Sequence, residues 1–125
     1  DKVIRCMLNS HQKDPRRTLN HFFINFMITR IVKLEFQEEY LETFLTHFEQ
    51  VKWSVSTFPG CHGMKLIQDL KNPCVILTYS VWENEGALEN YRVSPLFQSI
   101  WPIIKPWFSA RAEAWSLMEY FDGFQ

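Results

Sequence analysis

The chain has 125 residues, the length of one domain with a single sizeable core rather than of two. Hydrophobic residues at 46% and aromatics at 16% exclude a disordered or collagen-like chain, and 13 Lys/Arg against 14 Asp/Glu exclude the broad basic footprint of a nucleic-acid binder. No stretch approaches the roughly 18 uncharged apolar residues of a membrane span, and the first residues lack the apolar run of a signal peptide. A soluble, cytoplasmic domain with no membrane partner is therefore expected. Eleven Phe, five Trp and four Tyr are enough to line a cavity as well as to fill a core. Cys6, Cys61 and Cys74 form no Cys-x-x-Cys pair and have no His at metal-finger spacing, so neither a metal site nor a disulfide framework is expected.

Residues 1–26 hold five basic and two acidic residues, whereas residues 27–125 hold eight basic and twelve acidic. This shift from net positive to net negative places a boundary at Met27. The reading is an N-terminal extension over 1–26, without a catalytic part, followed by one domain over 27–125. A natural extension, an alternative start and an expression-derived segment all remain open as the origin of 1–26. Within it, Asn20 to Phe26 has β character and His11 to Arg17, with Pro15, reads as a polar loop.

From Met27 to Phe36 the chain reads as a strand, with Ile28, Val32, Leu34 and Phe36 on one face. Leu41, Phe44, Phe48, Val51, Val55 and Phe58 then recur at spacings of three and four, the stripe of an amphipathic helix. Glu38, Glu39 and Glu42 sit in its first turns, where the helix dipole favours acids, and Pro59-Gly60 ends it. Cys61 to Asp69 and Cys74 to Trp82 are two strands of a hairpin turned by Leu70 to Pro73. In that hairpin Cys61 and Cys74 lie about 26 Å apart and cannot be bridged within the chain. Glu83 opens a short helix to about Val93. Ser94 caps a second one with Pro95 at its first position, running through Leu96, Phe97, Ile100 and Trp101 until Pro102 and Pro106 disturb its end. Glu113 to Phe121 alternates as a last strand. The order β-α-β-β-α-α-β predicts an α+β, ferredoxin-like split β-α-β fold, a four-stranded antiparallel sheet with helices on one face. Its other face would be apolar, and a second copy of the chain covers it most economically, giving a homodimer.

Met27 to Leu34, the Phe58-Pro-Gly-Cys61 turn, Thr78 to Arg92 with its Val-Trp82 step, and Ser94-Pro-Leu-Phe97 resemble the antibiotic biosynthesis monooxygenase (ABM) family of dimeric α+β barrels. The resemblance spans about residues 27–121. It implies a homodimer with a small cavity between sheet and helices in each subunit. Family members include cofactor-independent monooxygenases of quinols and anthrones, haem-degrading enzymes, and many proteins with no assigned reaction. Among the haem degraders' residues, Trp82 matches the tryptophan. Thr29 falls at their strand asparagine and Trp101 at their iron-ligating histidine. An indole nitrogen has no lone pair for iron, so haem degradation is disfavoured. His47 and His62 remain as possible iron ligands, with structural or solvent-exposed roles favoured for both.

The quinol-oxidising members often place a histidine where this chain has Tyr91 or Leu96. The resemblance implies that Trp82 positions an aromatic ring, Tyr91 or Thr29 handles a proton, Arg92 stabilises an oxyanion, and Phe97, Trp101 and Ile104 close the cavity. Two functions follow from it: a cofactor-independent monooxygenase of a quinol- or anthrone-like small molecule, or a non-catalytic dimeric barrel binding a small hydrophobic or aromatic ligand. A cavity of about 300 Å³ or more with convergent polar groups would favour the enzyme, and Trp101 filling that space would favour the second reading.

Overall fold

A computed structural model describes residues 27–124. The expectations for residues 11–17 and 20–26 lie outside the described residues. Strand β1 (Ile28–Glu35) leads through a single 3-10 turn (Glu38–Tyr40) into helix α1 (Leu41–Ser56). Strands β2 (Cys61–Gln68) and β3 (Val75–Trp82) form the hairpin. Helices α2 (Glu85–Arg92) and α3 (Pro95–Ile104), a second 3-10 turn (Lys105–Trp107) and strand β4 (Glu113–Leu117) complete the order. The four strands lie in the order β2-β3-β1-β4 and every neighbouring pair is antiparallel, the ferredoxin-like arrangement the element order predicts.

Local chemistry fixes most of the boundaries. Asn84, just before α2, accepts a hydrogen bond from the Ala87 N–H at 2.8 Å, and Ser94 accepts one from the Phe97 N–H at 3.1 Å with Pro95 at the first position of α3. The hairpin turn is held by Asp69, whose carboxylate accepts from the backbone N–H of Lys71 and Asn72 at 3.1 and 2.7 Å. Gly60 after α1 has φ +88°, and a Cβ there would lie 2.5 Å from the Ala87 Cβ. Only glycine lets α2 approach the start of β2 this closely. The last strand is shorter than its alternation predicts. Its described ladder stops at Leu117, which pairs with Thr29.

Pairing in register puts paired residues on the same face of the sheet. Ile28, Val32, Leu34 and Phe36 do face the helices, as their alternation predicts. Two buried clusters result. Leu34, Phe36 and Ile76 pack with Phe44 and Val55 of α1 and with Ile100 and Ile104 of α3, while Ile28, Trp82 and Leu88 form a smaller group. The opposite face presents Ile31 between Tyr79 and Trp115, with Leu77 and Val81 alongside in β3, and no described element covers it. Cys61 and Cys74 are free thiols.

Candidate active site

Between the two buried clusters, sheet and helices enclose a cavity of about 120 Å³. Alternation along β1 turns Arg30, Val32 and Leu34 into it, and β3, running the other way, contributes Thr78, Ser80 and Trp82. From α1 come Phe44, His47, Phe48, Val51 and Val55, whose spacing of three and four keeps them on one helix face. The α2 residues are Leu88, Tyr91 and Arg92, and α3 adds Phe97, Ile100, Trp101 and Ile104. The walls are mainly apolar and aromatic.

One run of rings crosses the site. Trp82 stacks on Tyr91 at 5.0 Å between centroids, Tyr91 meets the edge of Phe97 at 5.3 Å, and Phe97 stacks on Trp101 at 5.7 Å. Trp82 is 1% exposed and its Nε1–H donates to Ser80 Oγ at 2.9 Å. Its single donor is thus used within the protein, and only the ring is offered to a ligand.

Burial, with a smaller push from Cys61, raises the Tyr91 phenol to about 12. The hydroxyl therefore stays protonated at neutral pH and acts as a donor. Burial raises the Cys61 thiol as well, which removes it as a thiolate nucleophile. His47, on the α1 wall and edge-on to Trp107 at 6.0 Å, has a buried Nε2 with no hydrogen-bond partner among the described residues. An orphaned buried nitrogen costs about 1–3 kcal/mol unless something pairs with it.

At the rim, Arg30 donates from Nη1 to Ser116 Oγ at 2.9 Å, and Arg92 lies 3.7 Å from the Glu89 carboxylate. Burial lowers the Arg30 guanidinium, and the positive charge of Arg92 lowers it further.

Six of the seven residues proposed from sequence, Trp82, Tyr91, Arg92, Phe97, Trp101 and Ile104, line this cavity. Thr29 does not. It pairs with Val81 and Leu117 on the opposite face of the sheet, so it is corrected out of the site, and the hydroxyls inside come from Thr78 and Ser80. Arg30 and His47 were not proposed for the cavity. Arg30 shares the parity of Ile28 and Val32, and His47 lies three residues after Phe44 on the helix stripe; both periods point inward. His62 is exposed, at an irregularity in the pairing between Cys61 and Gly63.

The sheet order, the cavity between sheet and helices, and the Trp82–Tyr91–Phe97 run define a ferredoxin-like α+β domain with an aromatic-walled cavity. The chain belongs to the antibiotic biosynthesis monooxygenase family, whose model matches residues 27–101. Among solved structures, it resembles a conserved protein from Methanosarcina mazei Go1, with 20% identity and a TM-score of 0.71 over 75% of this chain and 93% of that one. A crystal structure of an antibiotic biosynthesis monooxygenase matches with 16% identity and a TM-score of 0.70, over 74% and 97% of the two chains. PA3566 from Pseudomonas aeruginosa matches with 14% identity and a TM-score of 0.70, over 78% and 98%. At these identities the likeness is one of fold. No functionally curated protein matches the sequence.

Proposed function

We propose that the domain over 27–125 binds a small aromatic molecule in this cavity and acts on it as a cofactor-independent monooxygenase. Residues 1–26 take no part in the chemistry. The observation that carries the reading is a short set of convergent polar groups, His47, Tyr91, Thr78 and Ser80, among aromatic walls; the volume of about 120 Å³ falls short of the roughly 300 Å³ expected of an enzyme cavity and on size alone favours the non-catalytic barrel. An electron-rich quinol can supply every electron that the reaction needs. One oxygen atom of O₂ enters the ring, the other leaves as water, and the hydroquinone becomes a hydroxyquinone. The protein's part is to hold the ring, take a proton from its hydroxyl and exclude water. Trp82 and Phe97 hold the ring, His47 accepts the proton at its free Nε2, and the protonated Tyr91 donates to the developing oxyanion.

Size narrows the substrate. The volume of about 120 Å³ is below the roughly 150 Å³ that holds one benzene, but the cavity is partly open, so a one-ring quinol can sit with its edge in the mouth, whereas a three-ring anthrone would stand largely outside. We read the functional unit as a homodimer of the cytoplasm. The apolar face around Ile31, Tyr79 and Trp115 supports the dimer, and the free thiols of Cys61 and Cys74 suit a reducing compartment. A non-catalytic barrel is the second reading, favoured by the commitment of the Trp82 N–H to Ser80.

Oxygen uptake by the purified protein with one-ring hydroquinones and with anthrones tests the proposal. Uptake above buffer, faster with hydroquinones and lost in His47→Phe, is the expected result. Binding of the rings without uptake selects the non-catalytic barrel. Sedimentation of a monomer at micromolar concentration refutes the dimer.

A further inference from the structure

We propose that the rim of this cavity is a carboxylate site, so that the ligand is a one-ring aromatic carboxylate with its ring inside and its charged group between Arg30 and Arg92. The inference rests on the proposed function for the ring and goes beyond it for the charge. Arg30 comes from β1 and Arg92 from the end of α2, and both line the same cavity. Among the described residues no Asp or Glu lines it. The nearby carboxylate is Glu89, 3.7 Å from Arg92 Nη1 at the exposed surface, where an ion pair contributes little. Two guanidinium charges against one carboxylate leave the rim one positive charge in excess, in a protein whose overall net charge is -1.

The two arginines also repel each other. Burial first, and then the charge of Arg92, lowers the Arg30 guanidinium, with Glu89 opposing, and Arg30 is held through Nη1 by a neutral hydroxyl, Ser116 Oγ, at 2.9 Å. A monoanion seated between them removes that repulsion and neutralises the excess charge. Planar guanidinium forks match the two oxygens of a carboxylate. The remaining wall is apolar and of one-ring size, which fixes the other half of the ligand.

Trp82 and Trp101 both line the site, so intrinsic fluorescence reports occupancy. The probes are benzoate and its neutral isostere benzamide, titrated into the full chain at low salt. Benzoate is expected to bind about tenfold more tightly, with the preference shrinking as salt is raised. Arg92→Gln should bring the ratio close to one and Arg92→Lys should restore part of it. Glu89→Gln should move the ratio the other way, because it removes the carboxylate that competes for Arg92; a merely structural role for this pair predicts no such reversal.

Equal binding of benzoate and benzamide overturns the carboxylate site while leaving the aromatic cavity standing. A preference that survives in both Arg92→Gln and Arg30→Gln overturns it too. If neither ring binds at millimolar concentration, the cavity reading fails along with it.

Discussion

Trp82→Phe separates what this residue does for the fold from what it does for a ligand. Trp82 is 1% exposed, donates to Ser80 Oγ at 2.9 Å and stacks on Tyr91 at 5.0 Å. Phenylalanine keeps one ring in the stack but leaves a void of about 40 Å³, which at roughly 24 cal/mol per Å³ costs about 1 kcal/mol. The lost N–H strands the buried Ser80 hydroxyl, adding about 1 kcal/mol. The sum of about 2 kcal/mol should lower the melting temperature by about 10 °C in a domain of this size. Calorimetry at fixed protein concentration measures it. In the Trp82→Phe background, Ser80→Ala should cost little further, since its partner is already gone. The void also adjoins the cavity, so the variant should accept a two-ring ligand better than the parent does. A melting temperature within about 3 °C of the parent, or full additivity of the two substitutions, refutes this account of Trp82 as a packed, hydrogen-bonded wall.

His47→Phe should leave the melting temperature unchanged or raise it slightly, because it deletes an unpaired buried nitrogen, while oxygen uptake falls to the buffer rate; a large loss of stability would show that Nε2 has a partner in the protein. Tyr91 sets a pH window. With its phenol raised from 10.0 to about 12, the unfolded chain loses this proton first, so stability is intact below pH 10 and declines between pH 10 and about 12. Unfolding free energies from urea titrations at pH 9 and 11 should differ by about 1.4 kcal/mol from this group, and Tyr91→Phe should remove that difference. Gly60→Ala should destabilise by about 1–3 kcal/mol, since φ +88° and the approach to Ala87 both oppose a Cβ; denaturation at neutral pH checks it, and a neutral result would mean that α2 does not sit so close to β2.

Much of the fold was legible because its signals are local. The Ser94-Pro95 start of α3, the three-and-four stripe of α1 and the hairpin turn each follow from a few adjacent residues, and each stands where its sequence put it. Parity carried further than it was used. The alternation that sends Ile28 and Val32 to the helices also sends Arg30 inward and Thr29 outward, against the role that the family resemblance gave Thr29. The C-terminal strand shows the opposite limit: its own alternation runs to Phe121, whereas the described pairing stops at Leu117 opposite Thr29, and alternation alone does not mark where a ladder ends. His47 could be placed on the helix stripe by counting, whereas the lack of a partner for Nε2 depends on every group around it and has no local signature.

The cavity has an energetic meaning of its own. It is bordered by members of both buried clusters, by Leu34, Phe44 and Ile104 on one side and by Trp82 and Leu88 on the other. Between them Phe48, Val51, Met64 and Trp101 face inward yet stay only half-buried. The Tyr91, Phe97 and Trp101 rings pack against one another, edge-on between Tyr91 and Phe97 and stacked between Phe97 and Trp101. Those half-buried apolar side chains forgo part of the roughly 25 cal/mol per Å² that full burial would contribute. A ligand that fills the space recovers part of that loss and stabilises only the folded state. At a hundred times its dissociation constant, a one-ring occupant should therefore add about 2.7 kcal/mol and raise the melting temperature by about 10 °C. A ring that quenches Trp fluorescence but leaves the melting temperature unmoved at that concentration would be binding outside the cavity, and the site would have to be sought elsewhere on the fold.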